Sequence, residues 1–141
     1  MDARTIADPI PLAQALMRCP SVTPAEAGVL DVAQRELENL GFEIRRMKFG
    51  VVDNLYARLG SAQPNFCFAG HLDVVPPGEG WASDPFAAEI RNGNLYGRGA
   101  ADMKTAIAAM IAATQNFLVN GQPRGSISFL LRSEERRAGK E

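Results

Sequence analysis

FCFAGHLDVVPPGEGWASDPFAAEIRNGNLYGRGAADMK, residues 66 to 104, is the stretch from which the fold is read. It opens within a run, Asn65 to Ala69, that is short and nearly all apolar. That is the composition of a central strand covered on both faces. The strand leads directly into Gly70-His71-Leu72-Asp73. With extended backbone, His71 and Asp73 project to one side, about 6.6 Å apart along the chain, and Leu72 projects to the other. After a loop from Val74 to Pro85, AAEI and NLYGRG flank Asn92-Gly93, a dipeptide that favours a tight hairpin turn. GRGAADMK then carries the chain into a long helix starting at Met103, with Ile107, Met110, Ile111, Thr114, Phe117 and Leu118 on one face. Gly121 and Pro123 end it, and GSISFLL reads as another buried strand.

Working outward, Leu12, Leu16 and Met17 predict a short first helix, broken at Cys19-Pro20. In SVTPAEAGVLDVAQRELENLG, Thr23 suits an N-cap, Pro24 the first helical position, and Glu26 completes a T-x-x-E capping box. Val29, Leu30, Ala33, Leu37 and Leu40 recur at helical spacing up to Gly41, a C-terminal stop. FEIRRMKF and VDNLYARL follow as strands, the second with Leu55, Ala57 and Leu59 in alternation, and Ser61 to Asn65 is a turn-rich link. Helices alternating with apolar strands predict an α/β sandwich.

Composition narrows the function. The chain has 141 residues, 46% hydrophobic and 22% charged, which suits one globular domain rather than a disordered chain. A formal net charge of -1 gives no basic field for nucleic acid and no polybasic membrane patch. Its apolar runs fall short of the roughly 20 residues that span a bilayer, and MDARTIADPI lacks the pattern of a secretion signal. Cys19 and Cys67 lie far apart without a CxxC pair, so they read as small buried hydrophobes, and a cytoplasmic protein is expected.

The chemistry gathers at strand and helix ends. His71 is the single histidine of the chain. A neutral imidazole is a good zinc ligand, a neighbouring carboxylate can hold its ring and tautomer, and open α/β sheets bind ligands at the carboxyl ends of strands. An isolated HxD is equally compatible with a plain hydrogen-bonded histidine. Asp102 is compatible with an N-cap of the Met103 helix. It is also compatible with a carboxylate bridging two cations, because Gly97 and Gly99 allow close backbone approach just before it.

Taken together, GHLDVVPPGEGW, DPF, LYGRGAADMK and the upstream RCPSVTP resemble the N-terminal part of the co-catalytic zinc peptidase family, which holds acetylornithine deacetylase, aminoacylase and carboxypeptidase relatives. The similarity runs from about Pro9 to Leu131. It implies a partial zinc-peptidase-like α/β/α sandwich with a central mixed, mostly parallel sheet. Residues 1–131 would be the N-terminal part of the catalytic domain, and a smaller dimerisation (lid) domain would lie outside the chain. It further implies His71 as a zinc ligand, Asp102 as the bridge between two zinc ions (cobalt being an alternative in one site), and Asp73 as the group orienting His71. VVPPG and GRGAADMK favour hydrolysis of N-succinyl-LL-2,6-diaminopimelate to succinate and LL-diaminopimelate, in lysine biosynthesis, over deacetylation of N-acetylornithine or carboxypeptidase action. The implied partners are a small N-acyl amino acid and a second copy of the chain, with neither nucleic acid nor membrane. Leu72 stands where the family's HTD motif has threonine; facing away from the metals, it should matter little.

The family supplies its base and a metal ligand as adjacent glutamates after the strand read as GSISFLL. Counting ungapped from Gly125, the base slot falls on Glu135, the ligand slot falls on Arg136, and Glu134 takes the place of a preceding aspartate. RSEERRAGKE, residues 132–141, also resembles the translation of a short-read sequencing adapter and is set apart as a foreign or disordered tail. The chain alone is therefore expected to be an inactive fragment of a hydrolase.

Overall fold

The computed structural model describes residues 6–133. Helix α1, Ile10–Met17, buries Ala13, Leu16 and Met17 and ends where Pro20 forbids continuation. Between it and the next helix, residues 21–23 lie beside residues 72–74. Val22 and Val74 form a parallel bridge, with Val74 N–H donating to Ser21 O at 2.9 Å and Thr23 N–H to Val74 O at 3.1 Å.

Helix α2 spans Val29–Asn39, with Gly28 at its N-cap. It starts later than the capping box predicts. Glu26 does cap it, accepting the backbone N–H groups of Gly28 at 3.0 Å and Leu30 at 2.5 Å, but Thr23 takes no part. The hydroxyl of Thr23 is engaged elsewhere, as described below.

Strands β1, Glu43–Phe49, and β2, Val52–Leu59, form an antiparallel hairpin. Strand β3 is Asn65–His71. Strands β4, Glu89–Arg91, and β5, Asn94–Tyr96, make the small hairpin anticipated around Asn92-Gly93, where both turn residues have positive φ. Helix α3 is Thr105–Asn120 and strand β6 is Ser126–Arg132. The main sheet has the order β1-β2-β6-β3.

Two expectations need correction. The sheet is mixed, but among the described residues its pairings are mostly antiparallel rather than mostly parallel: only β3 and β6 run parallel. The reason is connection length. Gly50-Val51 is too short for anything but a hairpin, whereas the long passage through α3 returns the chain parallel to β3. Nor is β3 covered on both faces. It is the outer strand of the described sheet, with Phe66 62% exposed. Its apolar run serves a lateral aromatic stack instead: Phe66 meets Phe68, and Phe68 meets Phe129, each with ring centroids 4.9 Å apart. Cys67 is exposed on the same strand and Cys19 is partly buried, both as free thiols.

One apolar cluster joins the layers. Leu16 of α1, Leu30 and Leu37 of α2, and Ile107 and Ile111 of α3 pack on Leu55 and Ala57 of β2 and Phe129 and Leu131 of β6. These strand residues share one parity, so the described helices gather on one face of the sheet. Arg132 continues β6 opposite His71. Buried Ser133 exchanges hydrogen bonds with Asp53, its N–H donating to Asp53 O and its Oγ accepting from Asp53 N–H, both at 3.1 Å.

Candidate metal centre

His71 is the last residue of β3, at the carboxyl end of the parallel β3–β6 pair. The next residue, Leu72, is fully buried in the core cluster, with its N–H donating to Arg132 O at 2.8 Å. Extended alternation therefore sends His71 and Asp73 the other way. Asp73 is only 3% exposed. Its Oδ1 lies 3.3 Å from His71 Nδ1, and its backbone carbonyl lies 3.2 Å from the same nitrogen. A protonated Nδ1 would thus have oxygen acceptors behind it, leaving Nε2 to face outward.

What Nε2 faces is Asp102, whose Oδ1 is 3.0 Å away. Two close approaches bring these residues together. A Cβ on Gly70 would lie 2.5 Å from Ile107 Cδ1 and 2.9 Å from Met103 Cε, so the side chains at the start of α3 pack directly on the β3 backbone. Gly99 has φ +85°, and a Cβ there would meet Val74 Cγ1 at 2.9 Å. Both the backbone angle and the space demand glycine. Between Gly99 and α3 the chain makes a π-type turn, Ala100–Lys104, in which Lys104 N–H donates to Gly99 O at 3.0 Å. Such turns often occur at functional sites. Asp102 sits inside this turn with non-helical backbone, followed by a cis peptide to Met103. It caps no helix: α3 starts at Thr105 without a side-chain cap, and the Asp102 side chain is 78% exposed.

Lys104, fully buried beneath the turn, donates from Nζ to Cys19 O at 2.9 Å. Burial pushes its ammonium down to about 8, against the opposing pull of the Cys19 and Asp73 charges. Burial likewise raises the Cys19 thiol above its ordinary value. Arg98 donates to Pro77 O at 3.0 Å and lies over Trp81, whose indole N–H donates to the same carbonyl at 2.9 Å. This pins the Pro77–Trp81 loop beside the site.

His71, Asp73, Asp102, Val75, Arg98 and Ala101 line a cavity of about 130 Å³. A larger hollow of about 410 Å³ lies at the opposite end of β3, lined by Phe66, Phe117 and Pro123. It lacks carboxylates and imidazole, so the smaller cavity is the one with chemistry.

The donor set suits a metal. A tetrahedral zinc, with bonds near 2.0–2.2 Å, holds neighbouring N and O donors about 3.3 Å apart, so the His71–Asp102 spacing needs only a few tenths of an ångström. Among the described residues no group of three or more His, Cys, Asp or Glu side chains is arranged to hold a metal ion. His71 and Asp102 together supply two such donors. Glu135, the base expected from the sequence, lies outside the described residues, as do Glu134 and Arg136.

Sequence reasoning missed Thr23 and Lys104. Thr23 Oγ donates to Asp73 Oδ2 at 2.6 Å. Two prolines in RCPSVTP, Pro20 and Pro24, bias the residues before them to extended backbone. Nothing local marks Lys104 as buried.

Comparison with known proteins supports the same region. Residues 67–140 match the family described as Peptidase family M20/M25/M40. The chain is 62% identical over 132 residues to the succinyl-diaminopimelate desuccinylase of Maricaulis maris (strain MCS10), covering 92% of this chain and 34% of that protein. It is 62% identical over 130 residues to the succinyl-diaminopimelate desuccinylase of Caulobacter vibrioides (strain NA1000 / CB15N), covering 91% and 33%. The chain thus spans about a third of the length of the curated relatives it matches. Among solved structures, human carnosine dipeptidase 1 superposes with a TM-score of 0.80 at 26% identity, covering 89% of this chain and 31% of that one. An M20 family metallo-carboxypeptidase from Sulfolobus solfataricus also gives 0.80, at 25% identity, covering 91% and 31%.

Proposed function

Since the chain belongs to peptidase family M20/M25/M40, we propose that it forms the N-terminal part of the catalytic domain of a metal-dependent amide hydrolase. Its substrate in this reading is N-succinyl-LL-2,6-diaminopimelate, cleaved with water to succinate and LL-diaminopimelate. The observation that carries the reading is His71 Nε2 facing Asp102 Oδ1 at 3.0 Å, with Asp73 behind the ring. The choice of acyl group rests on the 62% identity to two desuccinylases, against 25–26% to the peptidases of the same fold.

In this reading His71 and Asp102 would hold zinc, with cobalt an alternative in one of two positions. Asp102 would be available to a second cation as well, its carboxylate being largely exposed. Bound metal would polarise the amide carbonyl and make water a nucleophile near neutral pH. Asp73 keeps the proton on His71 Nδ1 and the Nε2 lone pair free. A glutamate supplied by the full-length protein would take a proton from water and return it to the leaving amine as the C–N bond breaks. Remaining ligands come from beyond residue 133. The same reading has the full-length protein act in the cytoplasm as a homodimer through a domain outside this chain. No helix among the described residues is long and apolar enough to cross a membrane.

The test is a direct comparison of substrates. Full-length zinc-loaded protein should show its highest kcat/KM on N-succinyl-LL-2,6-diaminopimelate. A preference for N-acetylornithine or for a dipeptide overturns the substrate assignment.

A further inference from the structure

The residue that locks the metal-facing histidine in place lies outside the HxD motif, some fifty positions upstream in the chain. Asp73 is buried, and its oxygens do different work: the backbone carbonyl at 3.2 Å and Oδ1 at 3.3 Å both face His71 Nδ1, and Oδ2 accepts the Thr23 hydroxyl at 2.6 Å. That length falls in the charge-assisted range for a hydroxyl on a carboxylate. An aspartate's terminal torsion is broad and roughly two-fold, so the carboxylate plane is set by its partners rather than by its own rotamer. Thr23 is well suited to set it. Its χ1 is restricted by β-branching, and its backbone is tied to the HLD segment at several points. Thr23 N–H donates to Val74 O at 3.1 Å and Val74 N–H to Ser21 O at 2.9 Å. Ser21 Oγ donates to Leu72 O at 2.7 Å. The hydroxyl is not needed for the neighbouring helix, because Glu26 caps α2.

We propose that Thr23 is a positioning residue: its hydroxyl orients the Asp73 carboxylate, which in turn holds His71 with Nε2 directed at the metal. This rests on the reading of His71 as a metal ligand. It assigns a purpose to the RCPSVTP segment, whose residues 19–23 act as a strap across the end of β3.

The test uses full-length protein as wild type, Thr23→Val, Thr23→Ala, Thr23→Ser and His71→Ala. Zinc affinity is measured by chelator competition, and site geometry by the visible spectrum of the cobalt-substituted protein. Loss of an outer partner of a metal-bound histidine weakens metal by about 10–100-fold, and one shell further out the lower end, about tenfold, is expected for Val and Ala. Their cobalt bands should shift, while Thr23→Ser restores both readouts. If Val and Ala bind metal and absorb like wild type while His71→Ala loses metal, the positioning role is overturned alone. If His71→Ala keeps its full metal content, the ligand reading itself fails. If Val and Ala both leave the metal-free protein unfolded by circular dichroism, Thr23 is structural and the proposal is overturned.

Discussion

The two ends of β3 make an instructive contrast. At its start, Phe66, Phe117 and Pro123 line a mainly apolar hollow of about 410 Å³ without a carboxylate or imidazole. At its finish, His71, Asp73 and Asp102 line one of about 130 Å³. Size and apolarity point to the wrong end. What distinguishes the site is the number of constraints on each group. His71 is held by Asp73, Asp73 by Thr23, and the HLD backbone by Ser21 and Arg132. The hollow's walls at Phe66, Phe117 and Pro123 present apolar side chains, and packing of that kind tolerates change of similar volume.

Substitutions can break that contrast. The largest effect is expected from His71→Ala in the full-length protein. It should reduce zinc affinity by more than about 100-fold, beyond what loss of an outer-shell partner costs, as chelator competition would show.

Next comes Lys104. Its folded value, about 8, lies below the ordinary 10.5, so between those pH values the unfolded chain binds more protons and stability rises with pH. The penalty for a buried ammonium is fully present below pH 8 and fades as pH climbs through 10.5. Relative to Lys104→Met, metal-free wild type should gain about 2–3 kcal/mol between pH 7 and pH 10 in urea unfolding. A pH-independent difference would contradict the buried charge.

Gly70→Ala should cost about 1–3 kcal/mol by forcing Ile107 and Met103 away from β3, and it should also lower kcat/KM by moving Asp102 relative to His71. Thermal melting and steady-state kinetics check the two halves separately. The smallest effect is expected at the other end. Phe66→Leu should leave kcat/KM within about twofold, since an exposed apolar wall there touches no reacting group. A large loss would mean that the apolar hollow serves the reaction.

Much of this was legible beforehand, and the exceptions share a cause. The hairpin of β1 and β2 was readable because alternation has a period of two and Gly50-Val51 leaves one way to connect them. Asn92-Gly93 announced its own turn. The core face of α3 followed in part from helical spacing: Ile107, Ile111 and Thr114 are buried, whereas Phe117 is exposed. The start of α2 was misplaced because a T-x-x-E pattern describes local capping and is blind to a carboxylate arriving from fifty residues away. β3 was read as covered on both faces because Phe66 and Phe68 are equally apolar whether a second layer lies on them or only each other.

By itself, then, the sequence determined the elements, the hairpins, the family resemblance and the identity of the chemical groups, all of which depend on short-range periodicity or residue type. Only the tertiary structure decided which groups meet. It placed β6 between β2 and β3, laid the start of α3 against Gly70 so that Asp102 reaches His71, and drew Thr23 from an apparent helix cap to the back of Asp73. A hydroxyl or carboxylate can satisfy itself locally or at long range with similar energy. The choice between the two is made by the packing of the whole chain.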